Sequence, residues 1–347
     1  MPPLPASSGA ILEAVDPVLA ARVETGLVAV EARLREVVHA SHPLLDLASS
    51  HLVEAGGKRV RPLLALLASQ LGDPARADVV DAAVVVELTH LATLYHDDVM
   101  DEADVRRGAE SANSRWTNTI AILTGDYLFA RASDLTAGLG TQATHLQSRT
   151  FARLVQGQIS ETAGPAEGQD PVEHHLQGLA DKTASLIATS ARLGALMSGA
   201  QPEQVEAVAR FGELFGSAFQ LSDDLIDVLS DSDASGKTPG TDLREGIRTL
   251  PVLLVLGADP GSSSDGTQAT DGPDSARLRD LLNGDLTDDA LLAEALGLLR
   301  THPAIDGARV RLATYVDAAR AAARELPDGP VQDALLALTD FVLARTG

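Results

Sequence analysis

A chain of 347 residues could hold two average domains or one large helical domain, and because no shift in composition divides its first 255 residues, we expect one domain over residues 1–347. Ala, Leu, Val, Arg and Glu dominate, aromatic residues make up only 3%, and apolar residues recur mostly at helical spacing, which predicts an all-α fold with an aliphatic core. The formal net charge of −22 argues against a nucleic-acid partner, because a phosphate backbone requires an extended basic surface.

Several features that the sequence lacks indicate its environment. The chain has no cysteine, which excludes disulfides and thiolate chemistry and suits a reducing cytoplasm. It opens with no basic and apolar signal segment, and it contains no run of about 18 uncharged apolar residues. These observations predict a soluble cytoplasmic protein without a transmembrane segment.

In chain order, the apolar periodicity predicts a series of helices. Residues 1–8 are expected to fray, and from residue 11 to 53 apolar positions recur every three or four residues with breaks at Pro17 and Pro43. Residues 111–116 are expected to form a loop, and helices are predicted at 117–139, 141–162 and 172–198 and after Pro202. Residues 258–275 have the composition of a flexible surface loop, and residues 276–347 are patterned as about four packing helices.

A basic motif, GGKRVRP at residues 56–62, precedes the third predicted helix. Gly57 can adopt unusual backbone angles, and Pro62 is acceptable in a first turn. Lys58 and Arg61 would then lie beside the free backbone N–H groups of a helix start, where anions bind readily. An ordinary basic turn before a helix is the alternative interpretation.

The stretch from Glu87 to Gly108 contains three aspartates, Asp97, Asp98 and Asp101, at positions i, i+1 and i+4. Helical geometry places their side chains within about 100° of the helix circumference, so the three carboxylates share one face. Like charges this close destabilise a helix, and a hard cation such as Mg²⁺ suits carboxylate oxygens. The stretch therefore predicts a helix that ends at a metal site.

The same spacing recurs at Asp223, Asp224 and Asp227, again after a helical apolar run. With 32 aspartates in the chain, a DDxxD motif is expected by chance only about 0.3 times. One triplet alone could be a solvated acidic face of an acidic protein. Two triplets, each ending an apolar helix, favour a pair of metal-binding motifs.

The lysine content is also informative. The chain has 24 arginines but only three lysines, Lys58, Lys182 and Lys237, each near a candidate phosphate-binding motif. We interpret these as sites where a compact ammonium group is required.

Together, DDVMD, DDLID and GGKRVRP resemble the motifs of the trans-isoprenyl diphosphate synthases, the polyprenyl synthetase family, over about residues 50–255. Within that family the sequence is most similar to bacterial long-chain all-trans polyprenyl synthases. The resemblance implies a multi-helix bundle around a deep central cavity, three Mg²⁺ ions per active site and a homodimer. Its substrates would be isopentenyl diphosphate and an allylic diphosphate, either farnesyl or geranylgeranyl diphosphate.

The resemblance also implies roles for individual residues. Both aspartate triplets would bind Mg²⁺. The isopentenyl diphosphate would be held by Lys58, Arg61, His90 and Arg107. The allylic diphosphate would be contacted by Arg106, Lys182 and Lys237, with Thr183 beside Lys182 and Gln220 near the allylic chain. Alone, a histidine on an apolar helix or two adjacent arginines would be weak evidence.

One motif departs from the family pattern. Many members have Glu-Gly-Lys where this chain has Glu245-Gly246-Ile247, with Arg248 one position later. One basic contact is therefore missing or displaced, which affects how a flexible lid would close over the diphosphate.

The implied reaction is electrophilic prenyl transfer. Metal ions and fixed positive charge would stabilise the leaving diphosphate, the isopentenyl double bond would attack the allylic cation, and loss of a proton would complete each C5 addition. The cavity must exclude water, because water would convert the cation to an alcohol.

Product length is predicted from the residues that precede the first triplet. Positions one and two turns before Asp97 are occupied by Thr93, Ala92 and Thr89, all small, whereas Tyr95 projects about 200° away. In the family, aromatic residues four or five positions before the motif mark short-chain enzymes. We therefore predict a product of C30 or longer, of the kind used for menaquinone side chains, with transient membrane contact for product release.

Four alternatives differ in class. A short-chain geranylgeranyl or farnesyl diphosphate synthase would be expected to have an aromatic residue four or five positions before the first triplet, and this chain has none. A class I terpene cyclase would have an Asn/Asp-Ser-Glu pattern in place of the second triplet, and a non-catalytic synthase subunit would be expected to lose aspartates or the Lys58 and Arg61 motif. A purely structural helical protein would not explain two acidic triplets and three placed lysines.

Overall fold

The computed structural model describes residue 12 and residues 14–230, 239–257 and 273–346, and this part of the chain is almost entirely helical, as predicted. The helices are α1 Pro17–Val37, α2 Pro43–Glu54, α3 Val60–Ser69, α4 Asp78–Met100, α5 Ala112–Arg115, α6 Asn118–Gly138, α7 Thr141–Ala163, α8 Pro171–Leu179, α9 Ser185–Ser198, α10 Pro202–Leu229, α11 Thr241–Arg244, α12 Leu250–Gly257, α13 Pro273–Leu282, α14 Asp289–Thr301, α15 Ala304–Ala323 and α16 Pro330–Ala344. A π-helical turn, Ala180–Ala184, joins α8 to α9, and two strands, β1 Val105–Arg106 and β2 Ala109–Glu110, form an antiparallel hairpin.

Most predicted helix boundaries are confirmed within two residues. Residues 1–8, which are predicted to fray, lie outside the described residues, as do residues 258–272 of the predicted loop. Helix α13 begins at Pro273, so the end of that predicted loop is helical. With α14, α15 and α16 it makes up the four helices expected in the C-terminal part of the chain.

The chain forms two compact units, each built from separate segments. The first contains Met1–Leu154, Ser185–Glu213 and Arg320–Leu338, and the second contains Val155–Ala184, Leu214–Ala319 and Thr339–Gly347. The first acidic triplet therefore belongs to the first unit and the second triplet to the second unit.

Helix α4 is the central element of the first unit and packs against α1, α3, α6 and α9. It is apolar around most of its circumference, as expected for a helix covered on several sides. Contact with α6 is close, because a Cβ atom on Gly125 would lie 3.1 Å from the carbonyl oxygen of Ala92. Helix α4 is also apolar and long enough to cross a membrane, but 67% of its most apolar window is buried inside the protein, as in the core helix of a soluble protein.

In the second unit, α12 packs against α8 and α13, and α13 packs against α14. The part of α10 that lies in this unit buries Phe215, Leu221 and Leu225 and carries the second acidic triplet. This burial fixes the rotation of α10, and hence the direction of each aspartate.

Sequence analysis did not predict the β-hairpin or helix α5, and residues 111–116 were expected to be a loop. Arg107 and Gly108 form the two-residue turn of the hairpin, with φ of 54° and 75°. A type I′ turn requires positive φ at both positions and normally uses Asn-Gly or Gly-Gly. An arginine in this position gives no sequence signal for a hairpin.

Candidate active site

The first acidic triplet lies at the carboxyl end of α4. The backbone N–H of Asp101 donates a hydrogen bond to the carbonyl oxygen of Asp97 at 2.8 Å, so helical geometry extends through the C-cap residue. The three carboxylates differ in environment: Asp98 is fully buried, Asp97 is partly buried, and the Asp101 side chain is 52% exposed.

Asp98 is paired with Arg106 of the hairpin. The Arg106 Nε atom donates to Asp98 Oδ1 at 2.5 Å, and its Nη2 atom lies 3.9 Å from Asp101 Oδ2. Burial raises the pKa of Asp98, and the hydrogen bond from Arg106 opposes that shift. Asp98 Oδ2 is buried and has no hydrogen-bond partner in the described structure. Asp98 therefore anchors Arg106 through one oxygen and leaves the other available to a ligand.

A cluster of arginines surrounds Glu87, which lies about three turns before the triplet on α4. Arg59 and Glu87 are both buried, and Arg59 Nη1 donates to Glu87 Oε1 at 2.8 Å, while Arg59 Nε donates to Glu31. Arg107 Nη2 lies 3.5 Å from the same Glu87 oxygen, and its Nη1 donates to the carbonyl oxygen of Gly56. Sequence analysis did not identify Glu87 or Glu31, because a single glutamate in a helix carries no motif.

Both arginines that bind Glu87 have left-handed backbones, with φ of 47° at Arg59 and 54° at Arg107. Such conformations are costly for non-glycine residues and occur mainly at functional sites, where the surroundings impose them. A Cβ atom on Gly57 would lie 2.7 Å from Arg107 Cζ, so a larger residue would displace the Arg107 guanidinium. The predicted need for Gly57 is explained by this contact and by its own φ of 149°.

Arg61 and His90 lie beside this cluster. The charges that act on His90 are all arginines, whereas Arg61 lies near Arg107 and also near the carboxylates of Glu87 and Asp97. Arg61 Nε is buried and has no hydrogen-bond partner among the described residues. Burial, with a contribution from Arg107, lowers the pKa of Arg61 to about 10. Burial also holds the pKa of His90 well below its usual range, and Arg61 and Arg107 add to that shift. A local surplus of cations with unsatisfied donors is the environment that an anion would stabilise.

The shifted pKa of His90 leads to a prediction about proton uptake. At about pH 6 His90 is neutral in the free protein, and a bound diphosphate would favour the imidazolium and raise its pKa, so binding should take up a proton. Calorimetry of inorganic pyrophosphate binding in two buffers of different ionisation enthalpy measures this uptake. We expect it to fall in His90→Asn but not in His145→Asn, which alters an exposed histidine of α7. Equal uptake by the wild type and His90→Asn would show that His90 does not face the anion.

In the second unit, the three aspartates of α10 each have a different neighbour. Asp223 Oδ1 forms an ion pair with Arg345, which follows α16. Asp224 is buried, accepts a hydrogen bond from Gln220 at 3.2 Å and has its Oδ2 atom 3.4 Å from His175 Nε2. Asp227 accepts hydrogen bonds from the backbone N–H groups of Thr241 and Asp242 at the start of α11, at 3.2 Å each.

Lys182 and Thr183 lie in the π-helical turn, a distortion that often marks functional sites. Lys182 pairs with Glu161, and the Thr183 hydroxyl donates to Gln220 Oε1 at 3.4 Å. The structure therefore brings together the predicted Thr183, Gln220 and Asp224 in one chain of hydrogen bonds. The predicted Lys237 lies outside the described residues.

A cavity of about 1040 Å³ opens within the second unit. Its lining includes Lys182, His175, Glu161 and Arg248. Arg248 follows Ile247, which replaces the lysine common in the family, and its Nη2 atom lies 3.4 Å from Asn283 Oδ1. A cationic side chain thus lines the same cavity as Lys182, although it is displaced by one position in the sequence.

The three predicted chain-length residues do not have equal environments. Thr89 and Ala92 are fully buried, and Thr93 is partly exposed. Thr89 Oγ1 accepts a hydrogen bond from Gln147 of α7 at 2.6 Å. Tyr95 is buried, and its hydroxyl accepts from the N–H of Leu52, so it packs away from these positions as predicted.

The carboxylates fit a divalent cation that is shared with a ligand. Among the described residues, no three acidic or histidine side chains converge to enclose an ion by themselves. Asp98 Oδ2 and Asp224 Oδ2 are nevertheless buried without a hydrogen-bond partner, and carboxylate oxygens suit hard ions. Mg²⁺ commonly takes one or two protein carboxylates and completes its coordination with water and substrate phosphates.

The sequence matches the polyprenyl synthetase family over residues 42–280. The chain belongs to the polyprenyl synthetase family. It is 48% identical over 344 residues to a nonaprenyl diphosphate synthase of Mycobacterium tuberculosis, covering 99% of each chain. Its structure is similar to that of a geranylgeranyl pyrophosphate synthase of Corynebacterium glutamicum, which was solved with calcium and isoprenyl diphosphate (TM-score 0.83, 44% identity, 96% of this chain and 98% of that chain). It is also similar to a decaprenyl diphosphate synthase of Rhodobacter capsulatus (TM-score 0.83, 33% identity, 95% and 99%).

In this polyprenyl synthetase the predicted family and helical fold are confirmed, whereas the residue roles remain predictions. The structure assembles Arg61, His90 and Arg107 in the first unit and Lys182, Thr183, Gln220 and Asp224 in the second. Sequence reasoning missed Glu87, His175 and Arg345, which contact predicted site residues and have no motif of their own. It also gave no role to Arg59 of the GGKRVRP motif, which pairs with Glu87.

Proposed function

We propose that this protein is a Mg²⁺-dependent all-trans polyprenyl diphosphate synthase. It is a prenyltransferase that condenses isopentenyl diphosphate repeatedly with a farnesyl or geranylgeranyl diphosphate primer. The observation that carries the proposal is the cation cluster of the first unit, where Arg61, with its unpartnered Nε atom, lies beside His90 and Arg107.

The cation cluster is suited to the diphosphate of isopentenyl diphosphate. Glu87 orients Arg107 and Arg59, and Arg61 is left with donors for phosphate oxygens. Lys58 is exposed on the same loop and can close on the anion. His90, whose pKa is lowered in the free protein, would take up a proton as the anion binds and donate an N–H group to it.

The acidic triplets are proposed to bind the ions that hold the allylic diphosphate, through Asp97, Asp98, Asp101, Asp223, Asp224 and Asp227. An ion held there would supply positive charge against the leaving diphosphate, which would favour ionisation of the allylic carbon–oxygen bond. Arg106, Lys182 and Lys237 add fixed positive charge on that leaving group. Thr183 and Gln220 orient the allylic chain, and the departing diphosphate accepts the proton lost after each addition.

We propose a product of C30 or longer, because the residues one and two turns before Asp97 on α4 are small and Tyr95 packs away from them. Purified enzyme supplied with Mg²⁺, radiolabelled isopentenyl diphosphate and either primer should form products of C30 or longer, resolved by chromatography. Replacing Thr93, the most exposed of the three positions, with Phe should shorten the product, whereas Val105→Phe on the exposed hairpin should not. Termination at C20 by the wild type would favour a geranylgeranyl diphosphate synthase instead. Failure to incorporate isopentenyl units with any primer would contradict synthase activity altogether.

We also propose a cytoplasmic homodimer whose product becomes a menaquinone side chain. Exposed apolar residues of the first unit, Ile122 and Leu123 on α6 and Phe151 on α7, support a second copy as the partner. Phe129 and Phe151 pack with ring centroids 4.3 Å apart, which gives this surface a rigid aromatic element. Light scattering of the purified protein tests the dimer, and the quinones of a deletion strain test the pathway.

A further inference from the structure

We infer that Arg345 is a positioning residue that orients Asp223 for metal binding, an inference that rests on the proposed function. Arg345 follows α16 in a part of the sequence that carries no recognised motif. Its Nη2 atom donates to Asp223 Oδ1, and its Nη1 atom donates to Ser222 Oγ at 3.2 Å. A single guanidinium therefore bridges two consecutive residues of α10.

The guanidinium of Arg345 is held in place by aromatic rings. Its Cζ atom lies 4.8 Å from the ring centroid of Phe219 and 5.6 Å from that of Phe341, both within the range of cation–π attraction. The whole chain contains only six phenylalanines, and two of them lie against this one arginine. The Arg345 side chain is only 18% exposed, which limits its alternative conformations.

The backbone beyond α16 is held as well. Arg309 Nη2 donates to the carbonyl oxygen of Thr346 at 3.1 Å, and the backbone N–H of Arg345 bonds to the carbonyl oxygen of Phe341 at 3.3 Å. Arg345 is thus held at its backbone and at its guanidinium. A side chain restrained in this way can impose an orientation on its partner.

Arg345 could affect an ion at Asp223 in two opposite ways. As a neighbouring cation it would repel the ion, and its removal would then tighten metal binding. As a fixed hydrogen-bond donor it occupies Oδ1 and leaves Oδ2 pointing to the ion, and loss of such outer partners typically weakens metal affinity by about 10- to 100-fold. The number of contacts that restrain Arg345 favours the second effect.

The test is a Mn²⁺ titration followed by electron paramagnetic resonance, with full-length protein, first with metal alone and then with inorganic pyrophosphate. Arg345→Gln is expected to weaken binding at the affected site by about 10-fold or more. Arg345→Lys keeps the charge but cannot form the fork to Ser222 and Asp223, so it should recover only part of the affinity. Arg277→Gln, which alters an exposed Arg277–Glu294 pair of the same unit, serves as the matched control and should bind as the wild type does.

Two further variants keep the outcome interpretable. Asp223→Asn identifies the part of the binding curve that belongs to this carboxylate, and unchanged binding in that variant would contradict the proposed metal role itself. If Asp223→Asn weakens binding but Arg345→Gln leaves it unchanged or tightens it, only the inference about Arg345 is overturned. Should Arg345→Gln fail to fold by circular dichroism, Phe341→Leu loosens the arginine without removing it and should weaken Mn²⁺ binding in the same direction; unchanged binding there overturns the inference.

Discussion

Replacing Asp97 with Asn is expected to lower kcat/KM for isopentenyl incorporation by about 10²- to 10³-fold, the usual cost of removing one group that stabilises developing charge. Asp97 lies at the end of α4 and is only partly buried, so the neutral isostere should leave the fold intact. Steady-state rates at several Mg²⁺ concentrations measure the effect. Part of the activity should return at high Mg²⁺, because the defect is in metal affinity.

The control for Asp97→Asn is Asp134→Asn. Asp134 is an exposed aspartate of α6 that pairs with Arg131 at 3.4 Å in the same unit. It should have wild-type kinetics, since exposed ion pairs contribute little. Near wild-type activity of Asp97→Asn would remove the main support for a metal-assisted reaction at the first triplet.

Replacing Glu87 with Gln is expected to destabilise the protein by roughly 3–5 kcal/mol, the typical cost of breaking a buried ion pair by removing one partner. Glu87 is buried and contacts both Arg59 and Arg107, so its neutralisation leaves the enclosed Arg107 without a carboxylate partner and Arg59 with Glu31 alone. Thermal unfolding should show a fall in Tm of more than about 5 °C.

Pyrophosphate should partly restore the Tm of Glu87→Gln, because the added anion would neutralise the arginines that have lost the Glu87 carboxylate. Glu294→Gln is the matched control, since Glu294 pairs with Arg277 on the surface, and its Tm should not change measurably. An unaltered Tm in Glu87→Gln would mean that the arginines do not depend on Glu87 for their placement.

Packing distinguishes the three residues that are predicted to set the product length. In the sequence, the positions one and two turns before Asp97 are equivalent, since all three hold small residues: Thr89, Ala92 and Thr93. In the structure, Thr89 is hydrogen-bonded to Gln147 and Ala92 lies against α6 at Gly125, so only Thr93 retains exposed surface. Thr93 is therefore the position at which a larger side chain should act most directly.

Much of this protein could be deduced from local sequence patterns. The helices, the acidic triplets at two helix ends and the GGKRVRP motif depend on spacings within a few residues, because helix periodicity and capping are local properties. The unusual backbone angles of Gly57 were predictable for the same reason. These patterns also sufficed to indicate the polyprenyl synthetase family.

The partners of each charged side chain were decided only by the tertiary structure. Glu87 meets Arg59 and Arg107, and Asp223 meets Arg345 across 122 residues of sequence. Such pairs form because burial makes an unpaired charge costly, so folding selects partners by proximity rather than by spacing in the chain. The six aspartates look alike in the sequence, yet the fold buries Asp98 and Asp224, leaves Asp101 exposed, and uses Asp227 to cap a helix.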